Sequence, residues 1–204
     1  MTILLAGATG LVGSRVLALR REIVPVGRRA TGVAGEIVAD FAALPPLPPA
    51  RVAISALGTT IRAAGSQAAF RAVDHDAVLA FARGAQAAGV HHFIVITAVG
   101  ADATSGIFYS RVKGEVERDL AALGFERLDI LQPGLILGPR ADRRPVEALF
   151  QALAPLFDPL LIGGLDKYGG IGADAVAQAI AALCDAKEPG RFIHQNRAIA
   201  ALAT

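Results

Sequence analysis

Tyr109 and Lys113, in the run Tyr109-Ser-Arg-Val-Lys113, put a phenol and an ammonium four residues apart. On a helix, residues so spaced share one face, one turn apart. An ammonium near a phenol favours the phenolate, and such a pair suits proton transfer to or from a carbonyl or alcohol oxygen. The other tyrosine is Tyr168 and the other lysines are Lys167 and Lys187, so the spacing is informative. The structural alternative is an exposed pair on an amphipathic helix. Thr97 ends the apolar run Phe93–Thr97 just before that helix. Its hydroxyl is placed either to polarise a substrate carbonyl and orient Tyr109, or simply to fill a strand with a β-branched residue.

A second constellation opens the chain. Gly7-Ala8-Thr9-Gly10-Leu11-Val12-Gly13 follows the apolar run Ile3–Ala6 and leads into a helical pattern over Leu11–Leu19. A tight turn there needs a residue that tolerates unusual dihedrals, which Gly7 supplies. A bare backbone at Gly10 lets a pyrophosphate approach N–H groups, and Gly13 lets helix and strand pack closely. The helix start adds a favourable dipole. Strand, turn and helix in this order read as a dinucleotide-binding turn, although the spacing is G-x-x-G-x-x-G.

The acid that usually takes the ribose 2′-hydroxyl after the second strand is absent; Gly27-Arg28-Arg29 stands there instead. Two guanidiniums suit a 2′-phosphate, so NADPH is expected over NADH. Asp40-Phe41 is placed either to meet the adenine or to start a turn. Leu57-Gly58-Thr59-Thr60 and Pro133-Gly134-Leu135 each follow a strand and are expected to border the ligand crevice.

Positioning these groups requires a particular scaffold. Strands are expected at Ile3–Ala6, Ile23–Val26, Glu36–Ala39, Val52–Leu57, Phe93–Thr97, Leu128–Gln132 and Phe192–Gln195. Helices are expected at Leu11–Leu19, Gln67–Ala88, Phe108–Leu123 and Pro145–Leu156, and at Ala175–Asp185 with Asp174 as N-cap. Pro25 is a blemish in its strand, because proline cannot donate to a ladder. Apolar strands alternating with helices give an α/β, Rossmann-type doubly wound parallel sheet with helices on both faces and a small C-terminal extension. The 204 residues fit a single domain, with 1–140 as cofactor-binding core and 141–204 as a short substrate-side extension.

Composition narrows the function classes. Hydrophobic residues make up 53% and mean hydropathy is +0.49, which argues against disorder. Net charge is +2 with arginines scattered, so nucleic-acid binding is not indicated. The one cysteine, Cys184, excludes an internal disulfide and reads as a buried, inert thiol. No metal-ligand spacing is present, and His91 and His92 read as surface residues. There is no basic leader segment and no uncharged run long enough for a membrane span, so the expected location is cytoplasmic. The expected partner is a small-molecule substrate, with neither nucleic acid nor membrane, and the chain is expected to be a monomer or homodimer; Leu156–Leu165 suits core or interface equally.

Taken together, the glycine turn Gly7–Gly13, Tyr109-x-x-x-Lys113 and Leu131-Gln-Pro-Gly134 resemble the short-chain dehydrogenase/reductase superfamily in its extended or atypical branch. More narrowly, Leu57-Gly-Thr-Thr60, Val99-Gly-Ala-Asp102 and Val112-Lys-Gly-Glu-Val-Glu117 resemble the Tat-interacting oxidoreductase-like family, over most of residues 1–140. Beyond these, Tyr168–Ala182 resembles a late segment of that family. The resemblance implies an NADP-binding fold with Tyr109 as general acid/base. It also implies that Lys113 tunes Tyr109 and holds the nicotinamide ribose, and that Thr97 is the active-site hydroxyl. Thr97-Ala98 stands where the family often has a serine pair, and the portion after Pro133 is short. The expected activity is that of an NADPH-dependent oxidoreductase on a small carbonyl or related substrate. Its rivals are an NADPH-bound sensor or interaction module and a cofactor-recycling isomerase.

Overall fold

The computed structural model describes residues 2–139 and 169–204. The helix expected at Pro145–Leu156, the apolar stretch Leu156–Leu165 and Tyr168 lie outside the described residues.

Seven parallel strands form one sheet, in the spatial order Ile37–Val38, Ile23–Gly27, Ile3–Ala6, Val52–Ser55, His92–Ile96, Arg127–Gln132 and Gly190–Gln195. They are β1 (Ile3–Ala6), β2 (Ile23–Gly27), β3 (Ile37–Val38), β4 (Val52–Ser55), β5 (His92–Ile96), β6 (Arg127–Gln132) and β9 (Gly190–Gln195). The first crossovers run outward from β1 to β3 and the chain then returns to β4 on the other side, so a crevice opens between the C-terminal ends of β1 and β4. Both faces are covered, which is why β1 and β4 are buried along their whole length and read as unbroken apolar runs.

Alternate residues serve opposite layers. Ile3, Leu5, Ile54, Ile94 and Leu131 pack with helix α1 (Gly13–Leu19) and, from the C-terminal part, α6 (Ala173–Leu183) and α7 (Asn196–Leu202). Leu4, Ala53, Phe93, Val95, Leu128 and Ile130 face α4 (Ala77–Ala87) and α5 (Phe108–Leu123). Pro25 is tolerated because it pairs with Leu5 on one side only; β3 joins β2 no earlier than Val26.

The helix expected over Gln67–Ala88 is three segments run end to end: α3 (Gln67–Arg71), one π turn (Ala72–Asp76) and α4. A short α2 (Ile61–Ala64) precedes them, capped by the Thr60 hydroxyl. A pair of three-residue parallel strands, β7 (Leu135–Leu137) and β8 (Gly170–Gly172), was not legible in advance.

Two local expectations are corrected. Asp174 is not the N-cap of α6, which starts after Gly172; its carboxylate instead accepts from Arg15 Nε at 2.7 Å, tying α6 to α1. His92 is not a surface residue. It is buried on β5 and its Nε2 lies 2.7 Å from Asp129, which also holds His194 at 2.7 Å and Arg127 at 2.6 Å. Burial alone pushes the Asp129 carboxyl up, but these donors outweigh it and hold the group well below the carboxylate range. The cluster stitches edge strand β9 to β6 and β5.

Candidate cofactor cleft and active site

A cleft of about 530 Å³ opens at the C-terminal ends of β1, β2 and β4. Gly7, Ala8, Thr9 and Gly10 form one wall. Arg28, Arg29 and Phe41 form a second, and Leu57, Gly58 and Thr59 a third. These were singled out in the sequence, and the fold brings them to one place. Leu11, Val12 and Gly13 do not line it.

The glycines divide the work. Gly7 has φ +85°, and a Cβ there would stand 2.5 Å from the Ala56 carbonyl oxygen, so the turn admits no side chain. A Cβ on Gly13 would meet the Gly7 oxygen at 2.1 Å, so Gly13 serves packing of α1 on the turn rather than the cleft. Gly10 is freer within the protein, its nearest such contact being 3.2 Å, and it borders the cleft. This cradle and the cationic wall fit the adenosine–pyrophosphate half of a nicotinamide dinucleotide.

On the cationic wall, Arg29 Nη2 donates to Thr9 Oγ1 at 3.2 Å, reaching across to the glycine turn. Phe41 is buried and meets Phe81 edge-on at 6.3 Å. Asp40 takes the turn alternative: its carboxylate accepts from Ala42 N at 2.9 Å and caps the 3-10 turn Phe41–Ala43, outside the cleft. The cleft also recruits residues that sequence reasoning missed, among them Val26, Thr31, Glu36, Ile37 and the small residues Ala63, Ala69 and Ala72. Only the unusual run of small residues after β4 could have signalled the last group.

Tyr109 and Lys113 lie one turn apart on α5, as their spacing predicts. Tyr109 is 37% exposed, with its ring 5.6 Å from that of Phe70. Lys113 is buried, and Nζ is 2.7 Å from Asp74 Oδ1. The other oxygen of Asp74 accepts from Thr59 N at 2.8 Å. Asp74 is buried in the π turn, a feature found frequently at functional sites. It thereby links the cleft loop after β4 to the helix carrying Tyr109. Burial pushes the Asp74 carboxyl up and the Lys113 charge opposes it.

Thr97 is buried at the end of β5, and its hydroxyl donates to Glu117 Oε1 at 2.5 Å. Glu117 also accepts from Gln132 Nε2 at 3.0 Å, and Gln132 in turn accepts from Gln195. This polar chain crosses the C-terminal ends of β5, β6 and β9. Burial raises the Glu117 carboxyl, with Thr97 and Gln132 opposing. The Pro133 carbonyl accepts from Val99 N at 3.0 Å, fixing the loop after β5 rather than lining the cleft. Gly114 explains the close seat of α5 on that loop: a Cβ there would be 2.1 Å from Ala103 N. Tyr109, Lys113 and Thr97 do not line this cleft.

The HIM1 family model matches residues 29–156. The mitochondrial protein fmp52 of Emericella nidulans is 36% identical over 206 aligned residues, covering 88% of this chain and 87% of that one. Its counterpart in Aspergillus clavatus is 37% identical over 197, covering 86% and 83%. Among solved structures, MoeE5 in complex with UDP-glucose and NAD matches with TM-score 0.72 at 17% identity, over 95% of this chain and 75% of that one. The human epimerase family protein SDR39U1 with NADPH matches with TM-score 0.68 at 18% identity, over 96% and 74%. The Rossmann fold stands; the narrower Tat-interacting likeness is not what these matches support. The expected cytoplasmic location is corrected, because the curated relatives are named mitochondrial proteins. That expectation was a default from charge and hydropathy pattern, and a default is not an address.

Proposed function

The chain belongs to the HIM1 family, and from that premise we propose that it is an NADPH-dependent oxidoreductase of the short-chain dehydrogenase/reductase type, acting on a small carbonyl or related substrate. The observation that carries this reading is the shared cleft, in which Arg28 and Arg29 face the same space as the Gly7–Gly10 turn and the Leu57–Thr59 loop. Two guanidiniums with no acid at the end of β2 favour a 2′-phosphate over a free ribose hydroxyl. When bound, NADPH supplies a hydride to a carbonyl or activated alkene carbon.

The chain's own residues supply the rest. Tyr109, half-exposed at the start of α5, gives its phenolic proton to the substrate oxygen. Lys113, clamped by Asp74, stands one turn along α5 from the phenol. Thr97 acts through its bond to Glu117, fixing the end of β5 beside the reacting groups.

The rival is an NADPH-binding sensor or interaction module with little catalysis. One observation favours it: the ammonium of Lys113 and the hydroxyl of Thr97 are both engaged by carboxylates of the protein itself. NADPH oxidation with a panel of aldehydes, ketones and quinones separates the two. Turnover that falls in Tyr109→Phe supports the oxidoreductase. Tight NADPH binding with no turnover across the panel supports the sensor.

A further inference from the structure

We propose that Glu36 is a positioning residue for cofactor choice: it clasps the Arg28–Glu36 loop so that Arg28 and Arg29 stand ready for a 2′-phosphate. The proposal rests on the NADPH reading above and adds a residue to it.

The loop has little order of its own. It leaves the sheet after Gly27 and returns through β3, which pairs with β2 at only two positions, Val26↔Ile37 and Gly27↔Val38. Gly32 and Gly35 both have positive φ, +80° and +81°, and a Cβ at either would meet nothing within 4 Å. Such a stretch, unsupported, would sample many shapes and spread its two arginines over them.

Glu36 supplies the support. Its Oε2 accepts from Thr31 N at 2.5 Å and from Thr31 Oγ1 at 2.6 Å, and its Oε1 accepts from Gly32 N at 3.1 Å. Thr31 Oγ1 accepts in turn from Val33 N at 3.4 Å, and Glu36 N donates to the Val33 carbonyl at 3.2 Å. Three donors thus converge on one carboxylate and close the loop on itself. Thr31 and Glu36 both line the cleft beside Arg28 and Arg29.

An acid beside a phosphate site needs a reason. Here the carboxylate is consumed by the loop, and Thr31 holds the group below the usual glutamate range, so it stays an acceptor at neutral pH. The benefit is preorganisation. Ordering the loop before the cofactor arrives removes that cost from binding, and only a ligand that uses the arginines gains.

The test is the dissociation constant for NADPH and for NADH, measured on wild type, Glu36→Ala, Glu36→Gln and Thr31→Val. In Glu36→Ala the NADPH constant is expected to rise about tenfold while the NADH constant stays within about twofold. Glu36→Gln keeps one acceptor and is expected to lose less. Thr31→Val removes the two hydroxyl bonds, to Glu36 and from Val33 N, but keeps both backbone bonds to Glu36; it shifts the preference in the same direction and serves if Glu36→Ala fails to fold. Equal losses for both cofactors would mean a merely structural role and overturn the proposal. So would unchanged or tighter NADPH binding, the latter marking Glu36 as a repelling charge. A wild-type protein without NADPH preference would instead sink the underlying reading, and the clasp with it.

Discussion

Lys113 Nζ and Asp74 Oδ1 are 2.7 Å apart, with the two side chains 6% and 0% exposed. An ammonium this deep depends on its partner. Removing the carboxylate leaves an uncompensated buried charge, which typically costs about 3–5 kcal/mol. Asp74→Ala is therefore expected to lose stability on that scale in urea unfolding at neutral pH. It also frees the Thr59 N–H that Asp74 holds. A loss below about 1 kcal/mol would mean that Lys113 finds another partner or reaches water.

Tyr109 carries the proposed proton transfer, which is worth about 10²–10⁴ in rate for a well-placed general acid. Tyr109→Phe is expected to lower turnover by that range on any substrate the panel reveals. NADPH affinity should stay within about twofold, since Tyr109 does not line the cleft. Full activity in the variant would remove Tyr109 from the mechanism.

Glu117 gives a pH signature. Its carboxyl is raised in the folded state, chiefly by burial, so folding favours the protonated form. That contribution is fully present below the ordinary glutamate value and is lost as pH rises through the folded-state value. Glu117→Gln cannot ionise and keeps an acceptor for Thr97. Measured from about pH 4 to about pH 8, the stability of Glu117→Gln relative to wild type is expected to rise with pH. A flat difference would show that the bonds from Thr97 and Gln132 fully offset burial.

Cys184 is buried at the end of α6, and burial pushes its thiol up to about 12. Alkylation by iodoacetamide at neutral pH is expected only after denaturation, because the thiolate is the nucleophile. Ready labelling of the native protein would show that α6 opens locally.

Much of the scaffold was legible because each strand carries its own signal. The runs Ile3–Ala6 and Phe93–Ile96 are too apolar to lie anywhere but inside a sheet covered on both faces, and Gly124 announces the end of α5. What escaped was polar and long-range. Nothing near Asp74 in the chain hints at Lys113, nor does anything near Glu117 hint at Thr97; the fold alone makes them neighbours. His92 was misplaced for the same reason, since Asp129 and His194 reach it from other strands. Asp174 looked like a cap because aspartate at a helix start usually is one, but Arg15 competes for it. The strands β7 and β8 are three residues each and rely on one another across a long separation. The cleft walls Gly7–Gly10, Arg28–Arg29 and Leu57–Thr59 were readable because each follows a strand end, whereas Glu36 reads as the start of a strand over Glu36–Ala39 and the structure leaves it in the loop before β3 (Ile37–Val38).

The most direct test of the cofactor reading is a fluorescence titration of the purified protein with NADPH and then NADH. A dissociation constant for NADPH lower by about tenfold or more is expected from one or two charge-assisted bonds to the 2′-phosphate. Tighter binding of NADH, or binding of neither, would contradict it: the first would take Arg28 and Arg29 out of the site, and the second would leave the cleft an inherited shape without its ligand.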